Sequence, residues 1–92
     1  MRAKRVDANQ KEIVRQLRQL GLSVRHLHMV GDGLPDIIVG HRKMNFLIEI
    51  KDGKKAKSKK KLTDDEQEFF NTWKGQVAKC ETLDEIIKVV GL

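Results

Sequence analysis

Apolar positions Ile13, Val14, Leu17 and Leu20 recur at helical spacing. They predict a helix that Asp7 or Asn9 can cap and that runs to about Leu20, where Gly21 stops it. Ser23–Val30 reads as a strand, with Val24, His26, His28 and Val30 on one face and Leu27 and Met29 on the other. Gly31-Asp32-Gly33-Leu34-Pro35 is dense in breakers and reads as a loop. The short apolar run from Asp36 to Gly40 is a strand, joined through His41-Arg42-Lys43 to a stronger one over Met44–Lys51. There Phe46, Ile48 and Ile50 share one face, and Leu47, Glu49 and Lys51 the other. Thr63, with Glu66 three residues on, forms a capping box for a helix expected to bury Phe69, Phe70 and Trp73 before Gly75 ends it. A short strand over Gln76–Cys80 and a helix capped by Thr82, carrying Leu83, Ile86, Ile87 and Val90, complete the order α-β-β-β-α-β-α.

The chain has 92 residues, which is length for one domain over 1–92. No apolar run approaches the roughly 20 residues of a membrane span. Met1-Arg2-Ala3-Lys4-Arg5 is basic, but no apolar segment follows, so no secretory leader is expected. The one cysteine, Cys80, excludes a disulfide framework and a paired-cysteine zinc site, so a reducing, cytoplasmic setting is expected.

Charge changes the picture most. Of 19 Lys and Arg against 13 Asp and Glu, six lysines lie close together: Lys54, Lys55, Lys57, Lys59, Lys60 and Lys61. They account for the whole net charge of +6, the rest of the chain being formally neutral. Their segment has no acid and no large apolar residue, so a mobile basic loop over about 53–61 is expected. Such a loop suits a polyanion, because lysine contacts with phosphates release condensed counterions. A solubilising or localisation segment has the same composition.

Asp36, Glu49 and Lys51 are the candidate chemistry. Glu49 and Lys51 share a face, about 6.6 Å apart along the strand. If the two strands pair, Asp36 meets Glu49 across them. Two carboxylates that close repel unless a proton or cation intervenes, and a hard divalent ion such as Mg²⁺ relieves them. An ammonium at Lys51 would then stand beside a metal able to acidify water. Spacing alone leaves a second reading open, a same-face ion pair of Glu49 and Lys51 on a solvated sheet.

Pro35-Asp36 followed by Glu49-Ile50-Lys51 resembles the signature of the PD-(D/E)XK nucleases, which have a restriction-endonuclease-like α/β core with a mixed central sheet flanked by helices. Within that superfamily the chain is similar to the VRR-NUC domain, in particular small stand-alone phage and prophage members. The likeness is carried by Asp7-Ala8-Asn9-Gln10 with Glu12, by Gly31 to Asp36, by Leu47 to Gly53, by Ser58 to Thr63, by Glu66-Gln67, by Trp73 to Val77 and by Thr82 to Glu85. It covers nearly the whole chain. Asp64 stands where these sequences often have Pro.

The resemblance implies that Asp36, Glu49 and the main-chain carbonyl of Ile50 bind Mg²⁺ or Mn²⁺ and that Lys51 is catalytic. It implies an outer acidic role for Glu12, acting through a metal-bound water or a second ion, and a place near the site for Gln67. Glu12, Asp36, Glu49 and Lys51 sum to −2, which one divalent ion balances. It implies a homodimer cutting branched DNA such as a Holliday junction, with the six lysines binding nucleic acid. The rival is a non-catalytic DNA-binding module on a nuclease scaffold. His26, His28, His41 and Cys80 show no closed zinc set by spacing, and Phe69, Phe70 and Trp73 read as core before they read as a stacking platform.

Overall fold

The computed structural model describes residues 8–92, with the backbone alone for Ser58 and Lys59. The elements are α1 (Ala8–Gln19), β1 (Ser23–His26), β2 (Ile37–His41), β3 (Met44–Ile50), α2 (Lys57–Lys60), α3 (Asp64–Thr72), β4 (Val77–Cys80) and α4 (Leu83–Val90). This is the expected order with one helical turn added. The sheet runs β1-β2-β3-β4, antiparallel through its first three strands, with β4 parallel to β3. It is a mixed sheet flanked by helices.

Period-two alternation builds its inner face. Val24, Val39 and Phe46 stand in register across β1, β2 and β3. Ile37, Ile48 and Ala78 form the next row, and Ile50 faces Cys80. Helix α1 closes this face with Ile13, Val14 and Leu17, and α4 closes it with Ile86 and Val90. Each such side chain, fully buried, contributes about 1.5–3 kcal/mol.

The β2–β3 connection is a two-residue turn between the paired His41 and Met44. Arg42 at φ 52° and Lys43 at φ 65° occupy the left-handed region, as a type I′ hairpin requires. Gly33, at φ 74°, serves a different need. A Cβ there would run into the main-chain carbonyl of Asp65, so the loop before β2 and the start of α3 approach as closely as glycine permits.

Four expectations are corrected. β1 ends at His26, because Leu27–Val30 turns, with the Val30 N–H donating to the Leu27 carbonyl. Asn9 lies inside α1 and is no cap, while Asp7 falls outside the described residues. Helix α3 buries no residue: α1 and α4 already fill the inner face, so Phe69 and Trp73 stack on each other with centroids 4.9 Å apart, and Trp73 is 47% exposed. The lysine segment is not all loop, since Lys57–Lys60 closes one helical turn. Lysine is a good helix former, and Lys60 Nζ finds the Gly53 carbonyl and Glu81 Oε1, each at 3.5 Å.

Candidate active site

Register brings the first two carboxylates together. Ile37 pairs with Ile48, so Asp36 and Glu49 are the next residues along each strand. The Ile50 N–H donates to Asp36 Oδ2 at 2.8 Å and fixes that carboxylate at the end of β3. Lys51 is held from the other side, its N–H donating to the Cys80 carbonyl of β4 at 2.9 Å. The parallel strand therefore sets the height at which the Lys51 side chain leaves the sheet.

Lys51 Nζ lies 3.0 Å from Glu66 Oε1 and 3.4 Å from Glu49 Oε2. Glu66 is the capping-box residue of α3, and its Oε1 also accepts the Thr63 N–H at 2.8 Å. One carboxylate thus closes a helix cap and holds the lysine. A cavity of about 130 Å³ opens here, lined by His28, Asp36, Thr63, Asp65, Glu66 and the Gly31–Leu34 loop.

Glu49 is only 3% exposed. Burial, then the charges of Asp36 and Glu66, push its pKa up to about 9. Burial also raises Asp36, against the pull of the Ile50 N–H. Glu66 is desolvated too, but the Thr63 N–H and Lys51 hold it below the usual carboxylate range. Burial opposes the charge on Lys51, and Glu66 and Glu49 outweigh it, leaving its pKa above the ordinary value. The site therefore holds an ammonium, an ionised Glu66 and, beside Asp36, a Glu49 carboxyl that favours its proton.

Sequence-expected residues divide sharply. Asp36, Glu49, Ile50 and Lys51 come together; Glu12 and Gln67 do not join them. The Glu12 carboxylate is exposed and bound by Arg15, Nε at 3.0 Å. Gln67 is exposed and donates to Asn71 Oδ1 at 2.9 Å. Gln10 turns inward instead, 5% exposed, with Nε2 3.1 Å from His26 Nδ1. The third carboxylate beside the pair is Glu66, whose capping role was readable but whose reach to Lys51 was not. His28 also borders the cavity, with Nδ1 buried and unpartnered. Cys80 is buried, which pushes its thiol up to about 11 and removes it as a nucleophile.

Among the described residues no three His, Cys, Asp or Glu side chains gather into a cation cage. The donor set still fits Mg²⁺, an ion commonly held by one or two carboxylates with water and substrate oxygens filling the remaining positions. Glu49 Oε1 is buried without a hydrogen-bond partner, an atom that a cation would satisfy. No family model, curated protein or solved structure matches the chain.

Proposed function

We propose that the chain is a divalent-metal-dependent DNA nuclease. The observation that carries this reading is the buried Glu49, with its orphaned oxygen, beside the half-buried Asp36 and an ammonium. Asp36, Glu49 and the Ile50 carbonyl would hold Mg²⁺ or Mn²⁺. Such an ion, when bound, supplies Lewis acidity and lowers the pKa of its water. Lys51 is kept charged and oriented by Glu66, so it can steady a water and stabilise negative charge developing on a phosphate oxygen. The lysines of 54–61 follow Lys51 closely in the chain, and a concentrated positive segment attached there favours capture of a phosphate backbone. A homodimer would set two such sites on one branched DNA.

The test is cleavage of labelled duplex, forked and four-way DNA by wild type and Lys51→Ala, with Mg²⁺, Mn²⁺ or chelator. Wild type cuts only with metal, and Lys51→Ala cuts at least about 100-fold more slowly, since one charge-stabilising donor is typically worth that much. DNA affinity changes little. The second reading, a non-catalytic DNA-binding module, is favoured by the outward placement of Glu12 and Gln67. It gains if both proteins bind and neither cuts any substrate.

A further inference from the structure

Outside the lysine segment the charge is neutral in sum but not in place. Residues 8–45 carry six Lys and Arg against three Asp and Glu, whereas residues 62–92 carry three against seven. The positive half gathers along β1, which is an edge strand of the sheet. Three open clefts run into one another there. The first, about 520 Å³, is lined by Lys11, Arg15 and Arg18 among others. The second, about 400 Å³, shares Arg18 with it and adds Arg25. The third, about 490 Å³, shares Ser23, Gly40 and Asn45 with the second and ends at Arg42 and Lys43. Among the described residues, no Asp or Glu lines any of them. Glu12 pairs with Arg15, and among the described residues Lys11, Arg18, Arg25, Arg42 and Lys43 form no ion pair.

The hairpin tip is an independent sign. Its turn places Arg42 and Lys43 at positive φ, a conformation for which Asn-Gly is the unstrained pair. The fold carries two strained cations where two uncharged residues would serve it better. Strain kept at one spot points to use at that spot.

We infer that the β1 edge, from Lys11 to Lys43, is a second nucleic-acid surface that takes the phosphate backbone of a duplex. Among the described residues no Phe or Trp lines the track, and single strands are held largely by such rings. The molecule measures 31 × 29 × 27 Å, so a track along one side spans at most about nine base pairs at roughly 3.4 Å each. The lysine segment lies at the other edge, where Lys79 of β4 donates to the Lys60 carbonyl at 3.4 Å. Four strands separate the two basic surfaces by about 14 Å, with the candidate site between them. The inference rests on the DNA-binding half of the reading above, and it adds a second place for DNA to lie.

The experiment measures affinity for a labelled duplex of roughly 20 base pairs, in chelator, from about 50 to 300 mM salt. Wild type is compared with the triple variant Arg25→Gln, Arg42→Asn, Lys43→Gly. The variant is expected to bind at least about 10-fold more weakly, with a salt slope shallower by about two to three. The Asn-Gly turn relieves strain, so its melting temperature should equal or exceed that of wild type, which separates lost contact from lost folding. Equal affinity and slope in the two proteins overturn the inference, as does a wild type that binds single strands but no duplex. With metal restored the two readings part. Weakened binding with no cutting by either protein keeps the surface and sinks the nuclease; unchanged binding with Lys51-dependent cutting does the reverse.

Discussion

Burying Glu49 beside Asp36 and Glu66 leaves the residue a choice between a proton and a cation. Without metal it keeps the proton, and linkage gives the sign of the consequence. Its folded pKa of about 9 stands above the ordinary 4.5. The stability tied to that proton is fully present below about pH 4.5 and is lost as pH rises toward 9. Metal-free protein should therefore melt at a lower temperature at pH 8.5 than at pH 6. The free-energy slope approaches about 1.4 kcal/mol per pH unit for one proton. Glu49→Gln, which has no proton to lose, should flatten that slope in the same thermal scans. The position of Gln10 is a second lesson at this scale. It stands three, four and seven residues before Ile13, Val14 and Leu17, so helical spacing puts it on the buried stripe and leaves Glu12 off it. The resemblance pointed to Glu12, whereas helical spacing turns Gln10 inward and leaves Glu12 on the exposed side.

Helix α3 is the element on which the site leans, and it leans by its first turn. Thr63 accepts the Glu66 N–H at 3.3 Å, and Glu66 answers by taking the Thr63 N–H while holding Lys51. Thr63→Ala should cost about 1 kcal/mol of stability. It should also slow cleavage by more than the melting shift explains, because Glu66 loses the partner that fixes it; Thr63→Ser should restore both, as read by thermal melting and initial rates. The β2–β3 pairing was legible in part from alternation, since a one-residue slip would turn Phe46, Ile48 and Ile50 off the buried face they share with Ile37 and Val39; the two-residue turn at Arg42-Lys43 fixes the rest. That register delivered Asp36 to Glu49. The Glu66–Lys51 contact was not legible, because fifteen residues and the whole lysine segment separate the two in sequence. Nor was the exposure of α3. Its aromatic spacing is that of a buried stripe, but α1 and α4 had already taken the core.

Across the whole molecule, positive charge lines both sheet edges, while the carboxylate pair sits between them, at the start of β2 and the end of β3. Metal binding to that pair should couple to the entire fold, because an ion that binds only the folded state stabilises it by mass action. At one hundred times its dissociation constant, Mg²⁺ should add about 2.7 kcal/mol, a rise of roughly ten degrees or more in a chain this short. Asp36→Asn should abolish the rise, as scanning calorimetry with and without Mg²⁺ would show. The crossover from β3 to β4, residues 51–76, has one more property. Its lysines are also the bonds at which a Lys-directed protease cuts, and they lie in the chain between the first three strands and β4. A single nick there leaves β4 and α4 held to the rest by non-covalent contacts alone, among them the parallel ladder on β3 and the packing of α4 with α1. A polyanion lying on those lysines would cover the same bonds, so capture of a ligand and protection of the chain from digestion become one property.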